Sequence, residues 1–118
     1  MTKKKPIRVV LESLTHPVYK LYSSSTRSWD YYGMTLQVMP GIFHPGWFVT
    51  SVMLLEQVES LDLSGSRILE MGCGAGALAC RASQLGANSF ASDITQIACH
   101  NAEKNAFRNG LEVTVIQS

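Results

Sequence analysis

The stretch of residues 67–76 constrains the fold of this 118-residue chain more than any other segment. It reads Arg-Ile-Leu-Glu-Met-Gly-Cys-Gly-Ala-Gly, a short apolar strand candidate followed by glycines at alternate positions. A helix candidate rich in small residues follows at 75–85, and Asp93 comes 21 residues after Gly72. Glycines allow a sharp turn from a strand into a helix. The order predicts strand, loop, helix, strand and acid, which is the beginning of an α/β fold.

Hydrophobic spacing and turn residues predict the remaining elements. The expected elements, in chain order, are a helix at 6–22, a β-hairpin at 29–38, an irregular loop at 39–46, a helix at 47–61, a strand at 67–71, a helix at 75–85, a strand at 88–92, a helix at 95–109 and a strand at 111–116. The strands that alternate with helices imply parallel pairing through right-handed crossovers. We therefore expect a partial Rossmann-like, doubly wound parallel sheet (β-α-β-α-β), preceded by an N-terminal helix and β-hairpin.

The chain is expected to form one domain over residues 1–118, with the helix, hairpin and loop in 1–46. In the helix predicted at 95–109, the residues expected to face inward are Ile97, Ala98, Ala102 and Ala106. Asn101 and Asn105 are expected at the surface or as capping residues. His44 is expected to be a hydrogen-bonded loop residue, and Trp47 and Phe48 are expected in the core in preference to stacking on a ligand ring.

Composition excludes several function classes. Ten basic and nine acidic residues give a net charge of +1, which favours neither nucleic acid nor a membrane as an obligatory partner. No apolar run approaches the roughly 18 residues of a membrane span. The three cysteines form no C-x-x-C pair, so the sequence predicts reduced thiols and no metal site. A cytoplasmic location is the default expectation.

The glycine loop fits two fingerprints. Gly72, Gly74 and Gly76 give G-x-G-x-G, whereas Ala77 in place of the third glycine gives the dinucleotide form G-x-G-x-x-A. Glu70, two residues before the first glycine, separates them. A dinucleotide would hold its pyrophosphate at this point, where a carboxylate repels it. A ligand with an ammonium or sulfonium centre has no such penalty, so the acid favours S-adenosylmethionine over a nicotinamide dinucleotide.

This pattern resembles the first motif of the class I S-adenosylmethionine-dependent methyltransferases, an acid, any residue, then G-x-G-x-G. The resemblance covers residues 40–118, and segment 40–46 looks like the cofactor-gating loop of small methyltransferase-domain proteins, a group that includes RNA and release-factor methyltransferases. The resemblance implies S-adenosylmethionine as cofactor, bound by the half of the domain at 47–118. The site residues that it implies are Glu70, Gly72, Cys73 through its backbone N–H, Gly74 and Gly76 at the methionine end, Asp93 at the ribose and Ile94 beside the adenine.

In the family the next strand carries the substrate-side motif, commonly Asn-Pro-Pro and an aromatic residue, and this sequence ends before it. We therefore expect binding of S-adenosylmethionine or S-adenosylhomocysteine without turnover by this chain alone. The acceptor, whether RNA, protein or small molecule, stays open. The strand at 67–71 is expected to keep one unpaired edge. This predicts self-association, for example as a homodimer, or strand exchange, coverage by the N-terminal hairpin, or a chain cut from a longer protein. Two alternatives are a non-catalytic partner-binding module that keeps the fold, and a fragment of a nicotinamide or flavin oxidoreductase.

Overall fold

The computed structural model describes residues 17–47 and 49–118. Residues 17–22 are helical, as expected for the end of the first predicted helix. Residues 6–16 of that predicted helix, and Phe48, lie outside the described residues. The further elements are β1 (Arg27–Tyr31), β2 (Met34–Val38), a 3-10 turn (Pro45–Trp47), α1 (Val49–Glu59), β3 (Arg67–Met71), α2 (Ala77–Gln84), β4 (Asn88–Asp93), α3 (Gln96–Arg108) and β5 (Val113–Gln117).

β1 and β2 form the predicted hairpin, with five residue pairs in antiparallel register. The two turn residues, Tyr32 and Gly33, have φ angles of 47° and 77°. Two consecutive positive φ values are typical of a type I′ turn, whose twist matches that of the strands. Alternate residues of β2 are buried, namely Met34, Leu36 and Val38. One face of the hairpin therefore belongs to the core.

The second sheet is parallel, with the strand order β3-β4-β5. Each crossover runs through a helix, first α2 and then α3. Because both crossovers advance in the same direction and such crossovers are right-handed, α2 and α3 lie on one face of the sheet. The structure confirms the predicted partial Rossmann-like fold, with a helix and a hairpin ahead of it. Within the described residues no helix is both long enough and apolar enough to cross a bilayer.

Small residues let α2 and α3 pack closely. Gly76, just before α2, has φ 78°, and a Cβ built on it would lie 2.8 Å from the Cβ of Ala102 in α3. In α3 the inward prediction is right for Ala98, Ala102 and Ala106, which are buried. It is wrong for Ile97, which is 48% exposed. The helix turns its asparagines inward instead, and this rotation leaves Ile97 at the solvent edge.

Asparagine side chains of α3 dock the hairpin onto the parallel sheet's helices. The expectation that Asn101 and Asn105 lie at the surface or act as caps is wrong, because they are only 1% and 0% exposed. The Asn105 Oδ1 accepts the Gln37 N–H at 2.8 Å, and the Asn101 Oδ1 accepts the Met39 N–H at 2.9 Å. The free edge of β2 would otherwise bury backbone donors without partners, which is costly. Buried amides are stable here because they pair with that edge.

One edge of β3 has no strand partner among residues 17–47 and 49–118. Among the described residues β3 pairs only with β4. Its side chains Leu69 and Met71 are 55% and 78% exposed. Parallel sheets are normally covered on both faces, and here α2 and α3 cover only one.

Candidate functional site

The loop between β3 and α2 is built on three glycines with left-handed backbone. Gly72, Gly74 and Gly76 have φ angles of 67°, 52° and 78°, which residues with a Cβ rarely adopt. Their surroundings differ. A Cβ on Gly72 would meet nothing within 4 Å, whereas one on Gly74 would lie 3.5 Å from Ile42 Cγ2. Gly72 therefore faces open space, Gly74 lies beneath the loop that follows the hairpin, and Gly76 serves helix packing.

Glu70, in β3, is directed at the start of α2. Its Oε1 accepts the Ala79 N–H at 3.1 Å, one of the amides that have no partner inside the helix. Burial raises the pKa of Glu70, the Ala79 hydrogen bond opposes this shift, and the negative charge of Asp93 adds to it, so that the pKa is about 7. A half-buried carboxyl with such a shift is typical of functional sites.

Asp93 closes the other side of the glycine loop. Its Oδ2 accepts the Gly74 N–H at 3.1 Å, and its Oδ1 accepts the Thr95 N–H at 3.0 Å and the Thr95 hydroxyl at 3.1 Å. Burial alone would raise the pKa of Asp93, but the hydrogen bonds from Thr95 and Gly74 outweigh it and the pKa is lowered. The cap of α3 is the Thr95 hydroxyl, which accepts the Ala98 N–H. A backbone hydrogen bond from Ile94 also lowers the pKa of Asp93, so several donors stabilise its ionised form.

A cavity of about 100 Å³ lies beside the glycine loop. Four of the seven predicted site residues line this cavity, namely Glu70, Gly72, Cys73 and Gly74. The other three lie outside its lining, and Ile94 is 79% exposed. The remaining lining residues are Phe43, Pro45, Ser51, Leu54, Leu55, Ala75, Ala77 and Leu78.

The Cys73 N–H is hydrogen-bonded within the protein. The Cys73 N–H donates to the Ser92 carbonyl at 2.9 Å, which ties the glycine loop to the end of β4. The thiol is buried, and burial together with the charges of Glu70 and Asp93 raises its pKa to about 12. Cys73 therefore contributes packing at the cavity wall and has no reactive thiolate.

The 39–46 loop and α1 supply cavity walls that the sequence only partly indicates. Phe43 and Pro45 come from this loop. His44 in the same loop is hydrogen-bonded as expected, since its N–H donates to the Tyr19 hydroxyl and its Nδ1 accepts the Gly46 N–H, and its side chain is also buried. Ser51 and Leu54 come from α1 and were not predicted as site residues. The only feature of the sequence that could have indicated this wall is Ser51, a polar residue within an otherwise apolar stripe of the helix.

The arrangement can bind a partly cationic ligand of modest width. Two carboxylates flank a loop of glycines that a ligand can approach closely, and apart from Glu70 and Ser51 the side chains that line the cavity are apolar. The described residues hold no group of three or more His, Cys, Asp and Glu side chains suited to a metal ion.

The model of the ribosomal protein L11 methyltransferase (PrmA) family matches residues 2–117. The chain belongs to this family. The match confirms the resemblance to the class I S-adenosylmethionine-dependent methyltransferases. A ribosomal protein L11 methyltransferase from Vibrio campbellii is 42% identical over 85 residues, covering 67% of this chain and 29% of that protein.

Solved structures show the same fold. A ribosomal protein L11 methylase from Lactobacillus delbrueckii subsp. bulgaricus is 30% identical with a TM-score of 0.55, covering 63% of this chain and 40% of the other. A T. thermophilus 16S rRNA methyltransferase in complex with AdoMet and guanosine has a TM-score of 0.65 at 23% identity, covering 79% and 27%. The chain spans about a third of the length of the curated relatives that it matches.

Proposed function

We propose that this chain forms the S-adenosylmethionine-binding part of a methyltransferase. The observation that carries the proposal is the Glu70 carboxylate on the Ala79 N–H, beside a glycine loop and a cavity. The helix N-terminus, where a pyrophosphate would bind, already holds a negative group. A phosphate about 4 Å from an ionised carboxylate is repelled by about 4 kcal/mol at partly exposed sites, roughly a thousandfold in affinity. The ammonium and sulfonium of S-adenosylmethionine gain from the same charge.

The ligand would lie across the loop with its methionine end at Glu70, Gly72 and Gly74. The Asp93 carboxylate would accept a hydrogen bond from a ribose hydroxyl, and Ile94 would flank the adenine from the rim. Ligand pockets usually measure about 300–1,000 Å³. The cavity of about 100 Å³ therefore suits only the methionine end, with the nucleoside on the open surface beside it. In this arrangement Gly76 supports the loop through helix packing and does not contact the ligand.

Bound S-adenosylmethionine supplies an activated methyl group to an aligned acceptor. The residues of this chain bind that cofactor, orient it and cover its methionine end with the Phe43 and Pro45 side of the 39–46 loop. The names of the relatives support a protein acceptor of the ribosomal L11 kind for the whole methyltransferase. We expect this chain alone to bind cofactor without transferring methyl groups, because acceptor alignment needs further residues.

Isothermal titration with S-adenosylhomocysteine tests the proposal. Gly72→Val is compared with Gly110→Val, because both glycines have nearly equal φ angles, 67° and 65°, and no atom within 4 Å of a built Cβ. The backbone strain is therefore matched, and only Gly72 lies at the cavity. We expect binding by the parent and by Gly110→Val, and at least a tenfold loss in Gly72→Val. Equal affinities in the two variants would contradict the assignment.

Two rival functions give different outcomes in the same experiment. A folded parent chain that takes up no S-adenosylhomocysteine would support a non-catalytic module. Displacement of bound S-adenosylhomocysteine by NADH would support an oxidoreductase fragment. The hydrogen bond from Ala79 to Glu70 argues against the latter, since it puts a carboxylate where a dinucleotide needs a vacant helix N-terminus.

We also propose that the chain self-associates through the open edge of β3. An edge strand with exposed apolar side chains presents unpaired backbone groups that a second copy can satisfy. Leu69→Lys places a charge on this edge, and Phe107→Lys is a control, since Phe107 is 89% exposed on α3. Light scattering after size exclusion should report a dimer for the parent and the control, and a monomer for Leu69→Lys. A monomeric parent would refute self-association while leaving cofactor binding untouched.

A further inference from the structure

Asn101 and Asn105 of α3, together with Asn109 at its C-terminal cap, bind the free edge of β2 and the residue that follows it. Asn101, Asn105 and Asn109 are four residues apart, which is about 6 Å along a helix. The β2 amides that they bind are two residues apart, which is about 6.8 Å along a strand. The two repeats nearly match, so each asparagine meets one N–H of the strand. The Oδ1 atoms of Asn101, Asn105 and Asn109 accept from Met39, Gln37 and Thr35 at 2.9, 2.8 and 3.0 Å.

Asn105 differs from its neighbours because it also reaches the glycine loop. Its Nδ2 donates to the Gln37 carbonyl at 2.8 Å and to the Ala75 carbonyl at 2.8 Å. With the Gln37 N–H on Oδ1, both amide hydrogens and the oxygen are engaged. Asn101 also donates to the Gln37 carbonyl at 2.8 Å, and no hydrogen bond joins it to the loop. Asn105 is thus the member of the row that links hairpin, helix α3 and glycine loop.

The Ala75 carbonyl is a sensitive point of the loop. It belongs to the residue between Gly74 and Gly76, and because glycine has no Cβ the peptide planes beside these residues can rotate more freely. The Gly74 N–H is fixed by Asp93 on one side. Asn105 fixes the Ala75 carbonyl on the other. The two side chains hold the loop in one conformation before any ligand arrives, and such preorganisation increases affinity.

We propose that Asn105 is a positioning residue that couples the docked hairpin to the cofactor loop. The inference rests on the proposed cofactor function. Val38, Ile42, Ala75 and Ala98 form one buried cluster, so the loop after the hairpin packs against the same peptide that Asn105 holds. A hairpin displaced from α3 would move both the 39–46 loop and the Ala75 carbonyl. The N-terminal hairpin is therefore part of the cofactor site and not a separate attachment.

The test compares Asn105→Ala with Asn101→Ala. Both asparagines are buried, both accept one β2 amide and both donate to Gln37, so loss of hairpin docking is matched. Only Asn105→Ala removes the bond to Ala75. We expect the melting temperature to fall in both variants, and to fall further in Asn105→Ala because it loses one more buried hydrogen bond. The rise in the dissociation constant of S-adenosylhomocysteine should be about tenfold larger in Asn105→Ala. Amide exchange at Gly76 should accelerate in Asn105→Ala alone.

Equal affinities and equal Gly76 exchange rates in the two variants would overturn this inference while the proposed function stands. A folded parent that does not bind S-adenosylhomocysteine would overturn both. If either alanine variant fails to fold, Asn105→Ser and Asn101→Ser keep a polar group and are compared in the same way. A selective loss of affinity in Asn105→Ser supports the inference, and parent-like affinity in it contradicts the inference.

Discussion

The Glu70 carboxylate accepts the Ala79 N–H at 3.1 Å, so a strand and the helix that follows it are joined by an acid whose burial raises its pKa to about 7. In the unfolded chain this group has its ordinary pKa of 4.5. Between these values the folded chain binds more protons than the unfolded one. Stability therefore falls as the pH rises from about 4.5 to about 7. Ionisation of Glu70 therefore lowers the stability of the folded chain, as expected for a residue whose role is to bind a ligand.

Glu70→Gln should stabilise the ligand-free chain at pH 8. Glutamine can still accept the Ala79 N–H but carries no charge, so the penalty, at most about 3 kcal/mol, disappears. Chemical denaturation at pH 5 and pH 8 measures the effect, with Glu103→Gln on the exposed side of α3 as control. The gain should be large at pH 8 and small at pH 5. A Glu70→Gln variant less stable than the parent at pH 8 would contradict the electrostatic account.

The same substitution should weaken cofactor binding. The ammonium group of S-adenosylhomocysteine favours the ionised form of Glu70, so the affinity of the parent should rise as the pH increases from 6 to 8. In Glu70→Gln the dependence should be absent and the affinity lower at pH 8. Titrations of S-adenosylhomocysteine at three pH values decide this. The combination of higher stability with weaker binding distinguishes a functional carboxylate from a purely structural one.

His44 should make the chain less stable in mild acid. Burial lowers the pKa of this imidazole below its ordinary 6.5, while a hydrogen bond opposes the shift. The unfolded chain takes up a proton below pH 6.5 and the folded chain resists it, so stability is lost as the pH falls through that region. In His44→Asn the side-chain oxygen can replace Nδ1 as acceptor for Gly46, and this loss should disappear.

The measurement for His44 is the stability difference between parent and variant at each pH from 5 to 7.5. Glu70 contributes an opposite slope in this range, and the difference removes that contribution because it is common to both chains. His100→Asn, at an exposed position of α3, is the control and should run parallel to the parent. A His44→Asn curve parallel to that of the parent would show that His44 does not titrate as proposed.

Backbone geometry explains which parts of the fold were predictable from sequence. The glycine loop, the hairpin and the strand-helix alternation follow from local rules, since turn residues and hydrophobic period are both visible in the chain. Asp93 could be placed because the end of β4 lies beside the end of β3 in a parallel sheet. These elements need only short-range information and the handedness of the crossover.

The buried asparagines could not be placed by the same rules. Their spacing indicates one helical face but does not reveal that the free edge of β2 lies against it. Polar residues at Asn101 and Asn105 are ordinarily assigned to solvent, and only the docked hairpin makes their burial favourable. The sequence does contain one signal, a third asparagine at Asn109. With Asn101 and Asn105 it makes a row at four-residue spacing, and the distance between its members is close to that between alternate residues of a strand. The cavity wall from α1 was missed because it also depends on packing between distant segments.

Gly76→Ala should destabilise the chain by about 3 kcal/mol. The left-handed backbone costs about 1–2 kcal/mol for a residue with a Cβ, and contact with Ala102 at 2.8 Å adds an overpacking term. Gly110→Ala has a similar φ and open space, so it should show the backbone cost alone. Ala102→Gly combined with Gly76→Ala should recover part of the loss. Equal costs for the two glycine substitutions would exclude the packing role assigned to Gly76.

Arg81 in α2 should matter for the position of α1, which supplies one wall of the cavity. Its guanidinium donates through Nε and Nη2 to both carboxylate oxygens of Glu59, and it lies 3.9 Å from the centre of the Tyr32 ring. Lysine keeps the charge but loses the two-bond geometry and the stacking. Arg81→Lys should therefore cost about 1 kcal/mol in urea denaturation. Arg108→Lys, at an exposed position of α3, is the control and should not change the free energy of unfolding measurably. If both substitutions lowered the free energy of unfolding equally, the Arg81–Glu59 pair would have no role in holding α1.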